Sequence, residues 1–299
     1  MIEKNKLRFL ITGGTGFIGT KLTEELSKMG HALTILTRKT NLGATKNIHY
    51  INQIGKNFDY DVVINLCGEP ISCRWSPSKK QKIYGSRIDV TKDLAERILR
   101  SKTPPKLFIS GSAIGYYGTS EVEIFDENSQ PTNQNLFSQK LCFEWEREAQ
   151  KADKKTRIIL LRTGVVLGAK GGIIKKMLLP FKWFLGGKIG SGKQSISWIH
   201  IDDAVATILH LVNHQDASGA FNLTSPQPAS NLQFSQNLAK AIGRPCLFTI
   251  PALSMKIIYG EMAEELLLNG QKVYPKALLN SGYRFKFTEL KSAIEDCFL

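Results

Sequence analysis

The sequence is poor in the features of disulfide-bonded, metal-binding and membrane-spanning proteins. Its five cysteines are scattered along the chain and form no C-x-x-C pair. This pattern argues against a disulfide framework and a zinc site, so we expect no bound metal and a reducing compartment. The most apolar later stretch, 158–167, is broken by Arg162, and no run approaches the roughly 18 residues that cross a bilayer. We therefore expect no membrane partner. Charged residues and an apolar strand follow Met1 without room for a signal or transit peptide, which predicts a cytoplasmic protein.

Acidic residues are scarce as well: 26 aspartates and glutamates stand against 40 lysines and arginines, a formal net charge of +14. Such a surplus suits a nucleic-acid surface, or a field that attracts an anionic cofactor or substrate. The basic residues are spread along the chain, and no zinc-finger or RNP-type aromatic sequence accompanies them. We therefore expect a lysine-rich solvated surface, a small-molecule substrate and no nucleic-acid partner, in a monomer or a homodimer.

The most informative motif lies in the stretch 7–22, LRFLITGGTGFIGTKL. A short apolar strand leads into a glycine turn, and a helical pattern over about 20–29 follows, which is the context of a dinucleotide site. The spacing Gly13-x-x-Gly16-x-x-Gly19 lets the backbone approach a pyrophosphate where a Cβ would collide. The helix N-terminus adds free N–H groups and the positive end of its dipole. The predicted contacts are Gly13, Thr15, Gly16, Phe17, Ile18 and Gly19.

The end of the second strand, 32–37, predicts which dinucleotide is bound. An acidic residue about 20 positions after the glycines would bind the ribose hydroxyls of NAD, and none is present. Arg38 and Lys39 occupy this place instead, and both suit a 2′-phosphate. The sequence therefore favours NADP over NAD as the cofactor.

An apolar strand over 61–68 ends in Cys67 and Gly68. Open α/β sheets bind ligands at the carboxyl ends of their strands, so these small residues are predicted to lie over the cofactor. Ser76 and Pro77 then predict a helix start, and that helix either continues or breaks near Gly85.

The next strand, 106–110, leads into a segment rich in hydroxyl groups. Hydroxyls at a strand end near a nicotinamide can hold a carbonyl or alcohol oxygen. We predict Ser112, with Tyr116 or Tyr117, as the catalytic groups. The alternative is that the tyrosines only pack and hydrogen-bond within the loop.

The remaining chain alternates apolar strands with helical patterns, which predicts an α/β fold. We expect a doubly wound, parallel-sheet Rossmann domain with a smaller, mainly helical C-terminal substrate lobe. Residues 1–170 should form the NADP-binding domain, to which 198–225 returns, while 171–197 and 226–299 should form the lobe. Trp183 is expected in the core, with a place in the cleft wall as the alternative.

Several segments resemble the extended short-chain dehydrogenase/reductase superfamily, which includes nucleotide-sugar epimerases and dehydratases. The matching segments are 12–19, 65–68, 112–118, 161–168 and 199–204. The tail motif, Gly260-Glu261-Met262-Ala263-Glu264 with Leu268-x-Gly270-Gln271-x-Val273-x-Pro275, is similar to one atypical subgroup. Its members are usually labelled epimerase family proteins and sometimes cell division inhibitors. The resemblance covers nearly the whole chain and implies an NADP-binding sheet with a C-terminal substrate lobe.

One departure from the superfamily concerns its reactive pair, Tyr-x-x-x-Lys. In the superfamily the tyrosine transfers the proton, while the lysine lowers the tyrosine's pKa and holds the nicotinamide ribose. The aligned residues here are Phe137 and Leu141, so this relay cannot operate. Lys140 comes one position early, which turns a helical side chain by about 100°. Arg87 lies near the place of an asparagine in many epimerases and is predicted at the cofactor.

Two functions of different classes follow from these residues. The first is an NADP-dependent oxidoreductase or epimerase-like enzyme that acts on a small carbonyl or hydroxyl substrate, such as a nucleotide sugar. The second is a catalytically weak NADP(H)-binding regulatory or scaffold protein, for example in cell division. The cofactor motif predicts the first function, and the missing Tyr-x-x-x-Lys pair motivates the second.

Overall fold

The structure is a computed structural model, and it describes residues 6–39, 42–43, 46–132 and 135–299. The strands are β1 (Arg8–Thr12), β2 (Ala32–Leu36), β3 (Ile48–Ile51), β4 (Val62–Asn65), β5 (Leu107–Ala113), β6 (Ile124–Phe125), β7 (Arg157–Thr163), β8 (Val165–Leu167), β9 (Gly187–Ile189), β10 (Ser195–Ile196), β11 (Trp198–His200), β12 (Gly219–Leu223), β13 (Ala229–Ser230), β14 (Phe248–Ile250) and β15 (Lys272–Val273). The helices are α1 (Phe17–Lys28), α2 (Pro77–Arg100), α3 (Phe137–Gln150), α4 (Gly172–Lys182), α5 (Ile201–Asn213), α6 (Asn231–Ala241), α7 (Ala252–Tyr259), α8 (Glu261–Ala263), α9 (Lys276–Asn280) and α10 (Leu290–Asp296). A 3₁₀ turn covers Ile114–Tyr117, and a π-helical turn covers Glu264–Leu268.

Seven parallel strands form the central sheet, in the order β12-β7-β5-β4-β1-β2-β3. The strand order reverses at β1, which pairs with β2 on one side and with β4 on the other. Ligands of doubly wound sheets bind at the carboxyl ends of the strands beside such a reversal. The glycine turn therefore lies at the expected binding edge of the sheet.

Alternating residues of β1 show how the sheet is buried on both faces. Phe9 and Ile11 pack into one apolar cluster with residues of α1 and α5, such as Leu22. Leu10 points to the opposite face and packs with residues of α2, such as Leu94. Because successive strand residues face opposite sides, helices on both faces complete a three-layer α/β fold. This architecture confirms the predicted fold class.

The C-terminal part of the chain packs against this sheet as a mainly helical layer. A further apolar cluster joins α4, α6 and α10 around Trp198, Phe181, Phe234 and Ile294. Short parallel pairs tie the tail to earlier segments, β14 to β9 and β15 to β6. In the part of the chain that the structure describes, no helix is long and apolar enough to cross a bilayer.

Several element boundaries differ from those that the sequence predicts. Helix α1 begins at Phe17, directly after Gly16, and not near Thr20. Helix α2 continues through Gly85, with Ser76 as its N-cap. Strand β5 extends to Ala113, so Ser112 lies within the strand and not after it. Strand β3 at the sheet edge has no counterpart in the sequence prediction.

Candidate active site

The glycine turn after β1 is shaped first by the packing of the chain itself. Gly13 has a φ of +72°, and a Cβ there would lie 2.6 Å from the carbonyl oxygen of Leu66. A Cβ on Gly19 would lie 2.1 Å from the Gly13 oxygen. These two glycines are therefore required by the close approach of α1, the turn and the end of β4.

Gly16 has a different environment, which bears on ligand binding. A Cβ at Gly16 would meet only the Gly13 oxygen, at 3.1 Å, and Gly16 is exposed. It is the N-cap of α1, no side chain caps the helix, and the first turn has no acidic residue. The first N–H groups of α1 are thus available to an anion. This open cradle fits the diphosphate of a dinucleotide.

Arg38 and Lys39 lie beside this cradle at the end of β2. Lys39 Nζ is 3.5 Å from the carbonyl oxygen of Thr15, and the hydroxyls of Thr15 and Thr37 are 3.5 Å apart. Both basic side chains are exposed, and within the described ranges neither forms an ion pair with a carboxylate. The structure therefore places Lys39 at Thr15, with Arg38 as its neighbour in the chain. Their role as a 2′-phosphate site stays a prediction.

Phe17 and Ile18 follow in the first turn of α1, and both are half-buried. The Phe17 ring supports the loop after β8, because a Cβ on Gly168 would lie 2.9 Å from it and a Cβ on Gly171 2.6 Å. Phe17 thus joins the glycine turn to the segment that enters α4. It can offer the cofactor its backbone N–H while its ring stays packed against the loop.

Cys67 and Gly68 follow β4, and Arg87 of α2 packs against them. The Cys67 thiol donates to Asn65 Oδ1 at 3.0 Å, and burial raises the thiol's pKa, so it stays protonated at neutral pH. The Arg87 guanidinium packs on Gly68, where a Cβ would lie 2.8 Å from Cζ, and donates to the carbonyl oxygen of Glu69. Burial lowers the pKa of Arg87. The packing on Gly68 and the hydrogen bond to Glu69 hold the Arg87 guanidinium in a fixed position against the Gly68 backbone.

Ser112 and Tyr117 belong to a buried polar network that the sequence analysis did not foresee. Ser112 Oγ donates to Glu146 Oε1 at 2.7 Å, and Arg162 forms a two-pronged ion pair with the same carboxylate at 2.8 and 2.9 Å. Arg162 also donates to the Tyr117 hydroxyl at 3.0 Å, which in turn donates to Asn222 Oδ1 at 2.7 Å. The Ser112 and Tyr117 hydroxyls thus already donate to protein acceptors.

Burial, and not the network, keeps the Tyr117 hydroxyl protonated. Burial raises the pKa of its hydroxyl to about 12, against the opposing charge of Arg162. The phenol is therefore protonated throughout the neutral range. The sequence did contain one signal of the network, since Arg162 interrupts an otherwise apolar strand.

Tyr116 differs from its neighbour because its hydroxyl donates to no group within the described residues. Its ring is half-buried and lies under the Arg162 guanidinium, whose Cζ is 3.4 Å from the ring centroid. The ring also makes edge contacts with Tyr117 and Phe143. Of the three predicted catalytic residues, Tyr116 is the one that combines a fixed ring with a hydroxyl that has no partner among the described residues.

Apolar packing fills the positions of the superfamily's Tyr-x-x-x-Lys pair. The Phe137 ring makes an edge contact with Trp75 at a centroid distance of 5.0 Å, and Lys80 Nζ is 4.9 Å from the Phe137 centroid. Leu141 is 2% exposed, in a cluster with Trp75 and Trp145. Lys140 is exposed and does not take the place of the missing lysine.

A cavity of about 560 Å³ lies next to Phe137, at the boundary with the C-terminal segments. It is lined by Thr119, Asn135, Leu136, Ile189, Gly190, Ser191, Gln194, Ala252, Lys256, Glu261, Glu264, Glu265, Leu268 and Asn269. No glycine of the turn after β1 belongs to this lining. The cavity is large enough for a small substrate, and it is separate from the cradle at Gly16.

One group of side chains has the composition of a metal site. His200, Asp202 and Asp296 offer ligand atoms within 4.8 Å of one another. Asp202 is already paired with Lys21 and Lys286, which supply the positive charge that a cation would bring. His200 caps α5 by accepting from the Asp202 N–H at 3.2 Å. These contacts give His200 and Asp202 structural roles, and Asp296 Oδ2 lies 3.3 Å from His200 Nε2.

Comparison with known proteins assigns the family. A model of the NAD dependent epimerase/dehydratase family matches residues 9–224. The chain belongs to this family. A second family model, described as a domain of unknown function (DUF1731), matches residues 250–297 of this chain. The resemblance to epimerase family proteins is thereby confirmed, including its tail motif.

Three relatives show how far the similarity extends. An epimerase family protein of Staphylococcus aureus (strain MRSA252) is 38% identical over 97% of this family member and 98% of its own length. The crystal structure of human epimerase family protein SDR39U1 (isoform 2) with NADPH has a TM-score of 0.88 at 34% identity, covering 97% of this chain and 99% of the human one. A nucleoside-diphosphate sugar epimerase of Corynebacterium glutamicum has a TM-score of 0.76 at 30% identity, over 98% of this chain and 59% of its own.

Proposed function

We propose that the protein binds NADP(H) and acts as an oxidoreductase or epimerase-like enzyme on a small carbonyl or hydroxyl compound. One observation carries the proposal: the uncapped N-terminus of α1 at Gly16 lies beside Lys39, and neither Lys39 nor the adjacent Arg38 forms an ion pair within the described residues. The human relative whose structure contains NADPH supports this choice of cofactor. The similarity to a nucleoside-diphosphate sugar epimerase makes nucleotide sugars one substrate class to test.

Each part of the cleft has a separate task in this proposal. The N–H groups after Gly16 would bind the diphosphate, and Arg38 with Lys39 would bind the 2′-phosphate. Cys67 and Gly68 would contact the cofactor from the end of β4, with Arg87 fixed behind them. When bound, NADP(H) supplies or accepts a hydride, and the protein's own groups orient the substrate oxygen.

The two cations at the end of β2 should determine the preference for NADP(H). A charge-assisted hydrogen bond contributes about 1.5 to 3 kcal/mol. In the double variant Arg38→Ser/Lys39→Ser we therefore expect NADPH affinity to fall by about 10- to 100-fold and NADH affinity to change by less than about threefold. Titration calorimetry with both nucleotides measures the difference.

A matched control separates this local effect from the loss of overall charge. Lys102 and Lys155 are exposed and lie before β5 and β7, at the opposite edge of the sheet. Lys102→Ser/Lys155→Ser removes the same charge and should leave both affinities within about twofold. Equal losses of NADPH and NADH affinity in the Arg38/Lys39 variant would show that these residues do not read the 2′-phosphate.

Tyr116 is the residue that we propose to contact the reacting oxygen, because its hydroxyl is unpaired and its ring is held against Arg162. Positioned acid–base groups contribute about 10²- to 10⁴-fold. With a carbonyl substrate from a screening panel, we expect Tyr116→Phe to lower kcat at least about 100-fold while NADPH affinity is kept. Tyr84→Phe, on the exposed side of α2, serves as the control.

Ser112 and Tyr117 would then act by positioning, through Glu146 and Arg162, and not by direct contact with substrate. Unchanged turnover in Tyr116→Phe would remove Tyr116 from the mechanism and return attention to these two hydroxyls. The readout is the consumption of NADPH, followed by its absorbance at about 340 nm.

The regulatory alternative is favoured by the apolar packing of Phe137 and Leu141. A protein of that kind would bind NADPH as tightly as an enzyme but would turn over no member of a broad carbonyl and nucleotide-sugar panel. Turnover of any panel member that depends on Tyr116 would instead support the enzyme.

A further inference from the structure

The turn between α4 and β9 carries an exposed apolar patch, whereas a turn in contact with solvent is ordinarily polar. Leu179, Trp183, Phe184 and Leu185 are 62%, 71%, 54% and 61% exposed. Trp183 therefore does not lie in the core, which corrects the first of the two predicted places, and it is not among the residues that line the 560 Å³ cavity. Large apolar side chains grouped on a surface mark a site of contact with a partner or a membrane.

A second segment extends this patch. Strand β14 pairs with β9 so that Phe248 lies opposite Gly187, which brings Leu247 and Phe248, 82% and 51% exposed, next to the turn. Arg244 stacks on Phe184, with its Cζ 4.6 Å from the ring centroid. We call these residues the Trp183 patch: Leu179, Trp183, Phe184, Leu185, Leu247 and Phe248.

The helix that follows β14 is also apolar and exposed. Helix α7 contains no buried residue, and its Leu253, Ile257 and Ile258 are 68%, 65% and 53% exposed. The loop at 72–74 connects α7 to α4, since Arg74 donates to the Ile258 carbonyl oxygen at 3.2 Å and Lys176 donates to Ser72. The apolar surface therefore extends over neighbouring elements of the C-terminal layer.

The segments that carry the patch have charge of a single sign. The sequence contains no aspartate or glutamate over 154–201 or over 217–260, although it has 26 acidic residues in all. Lys175, Lys182 and Arg244 are exposed beside the patch, and within the described residues they form no ion pair with a carboxylate. The face therefore consists of apolar side chains flanked by exposed cations that have no carboxylate partner among the described residues.

This charge decides between possible occupants. A second copy that met the same face across a two-fold axis would place lysines against lysines, which opposes self-association. An anionic lipid surface complements the cations and receives tryptophan, phenylalanine and leucine at the level of its headgroups. The projecting side chains of the patch also do not line the 560 Å³ cavity, so they do not wall the space where a small substrate would fit.

We propose that the Trp183 patch docks the protein on the surface of an anionic phospholipid bilayer. Trp183, Phe184 and Leu185 enter the headgroup region, while Lys175, Lys182 and Arg244 contact lipid phosphates. The protein binds the surface of one leaflet and does not span it. The proposal is independent of the function proposed above, and it goes against the sequence expectation of no membrane partner.

The tryptophans provide a direct readout of docking. Trp75, Trp145 and Trp198 are 8%, 7% and 0% exposed, whereas Trp183 is 71% exposed. Addition of phosphatidylcholine vesicles containing about one-third phosphatidylglycerol should shift the fluorescence of the full-length protein to the blue, and the protein should sediment with the vesicles. Pure phosphatidylcholine vesicles should bind at least about tenfold more weakly, and raised salt should release the protein.

Two variants test the two components of the surface. We expect Trp183→Ser/Phe184→Ser/Leu185→Ser and Lys175→Glu/Lys182→Glu each to weaken vesicle binding at least about tenfold. Val122→Ser/Ile124→Ser is the matched control, because it removes side chains that are 84% and 68% exposed outside the patch and should leave vesicle binding unchanged. All three variants should keep wild-type NADPH affinity, which shows that they fold.

The proposal is overturned by several results. Absence of binding to the anionic vesicles overturns it, whether or not the protein binds an acidic protein surface instead. Equal binding to both kinds of vesicle, or full binding by the serine triple variant, also overturns it. If the wild-type protein shows no NADPH affinity, only the proposed cofactor function fails, so the failures of the two proposals are distinguishable.

Discussion

Gly16 and Gly19 belong to one motif, yet the structure gives them different tasks. A Cβ on Gly19 would lie 2.1 Å from the Gly13 oxygen, whereas a Cβ on Gly16 would touch that oxygen only at 3.1 Å. Gly19→Ala should therefore lower the free energy of unfolding by about 1–3 kcal/mol, the usual cost of overpacking. Gly16→Ala should change it by less than about 1 kcal/mol but weaken NADPH binding at least about tenfold. Urea unfolding and calorimetry measure the two effects.

Gly30 provides the control for this pair. It follows α1, and a Cβ there would meet nothing within 4 Å, although its φ of +84° makes substitution costly for the backbone alone. Gly30→Ala should therefore lose stability without losing NADPH affinity. If Gly16→Ala binds NADPH like the wild type, the cradle at the start of α1 is not the diphosphate site.

At the scale of single residues, the sequence showed the local motifs of the site but not the partners of its side chains. The glycine spacing and the basic pair at 38–39 could be read directly, because the members of each motif lie within a few positions of one another. The Ser112–Glu146–Arg162–Tyr117–Asn222 network could not, since its hydrogen-bonded members are up to 105 positions apart. Only the fold brings those side chains together.

Asp202 joins three elements, and its ionisation should matter to the stability of the fold. Burial alone would raise the pKa of Asp202, but hydrogen bonds from Lys21 in α1 and Lys286 in the tail outweigh burial and lower it to about 2. A carboxylate with a lowered pKa stabilises the fold above its unfolded pKa, near 3.8, and this contribution is lost as the pH falls toward 2.

The pH dependence can be measured as a difference between two proteins. Asp202→Asn should be less stable than the wild type by about 2 kcal/mol near pH 6. The difference should shrink as the pH falls below about 4, because the unfolded wild-type carboxylate then takes up a proton while the folded one stays ionised down to about pH 2. Unfolding by urea at several pH values follows it. A difference that stays constant from pH 6 to about pH 2.5 would show that Asp202 acts by packing and not by charge.

At the scale of helices and strands, strong local signals predicted the structure best. Apolar runs identified most strands of the sheet, and Ser76-Pro77 marked the start of α2. Strand β3 was missed because Ile48–Ile51 is a short edge strand with mixed polarity and partial exposure. The start of α1 was placed too late because glycine has low helix propensity, which tertiary packing overrides here.

Glu265 connects distant parts of the whole molecule. It is 7% exposed, and its carboxylate accepts from the Phe137 and Ser138 N–H groups, both at 2.9 Å, which caps α3 from the C-terminal tail. Glu265→Gln removes a charge from the N-terminus of α3 and should lower the free energy of unfolding by about 1–2 kcal/mol. Thermal and urea unfolding measure this loss.

The neighbouring glutamate is a suitable control. Glu264 pairs with Lys256 on the surface, where both side chains are about half exposed, so Glu264→Gln should cost less than about 1 kcal/mol. Equal effects of the two substitutions would mean that the cap contributes no more than a surface ion pair.

At the scale of the whole chain, alternating strands and helices were enough to predict the doubly wound sheet. The fate of Trp183 was not predictable in the same way, because an aromatic residue in an apolar, acid-free segment is compatible with both core and surface. What the sequence does carry is the absence of acidic residues over 154–201. That absence acquires meaning only when the exposure of the neighbouring side chains is known.

The packing of Leu141 opposes the introduction of the superfamily's Tyr-x-x-x-Lys pair into this molecule. A tyrosine could replace Phe137 by adding one hydroxyl to a half-buried ring. A lysine in place of Leu141, however, would put an ammonium into an apolar cluster with Trp75, Trp145 and Met262, where an unpaired charge is strongly disfavoured. The superfamily's Tyr-x-x-x-Lys pair therefore does not fit the present packing at Leu141, and any chemistry of this molecule depends on the groups that it now contains.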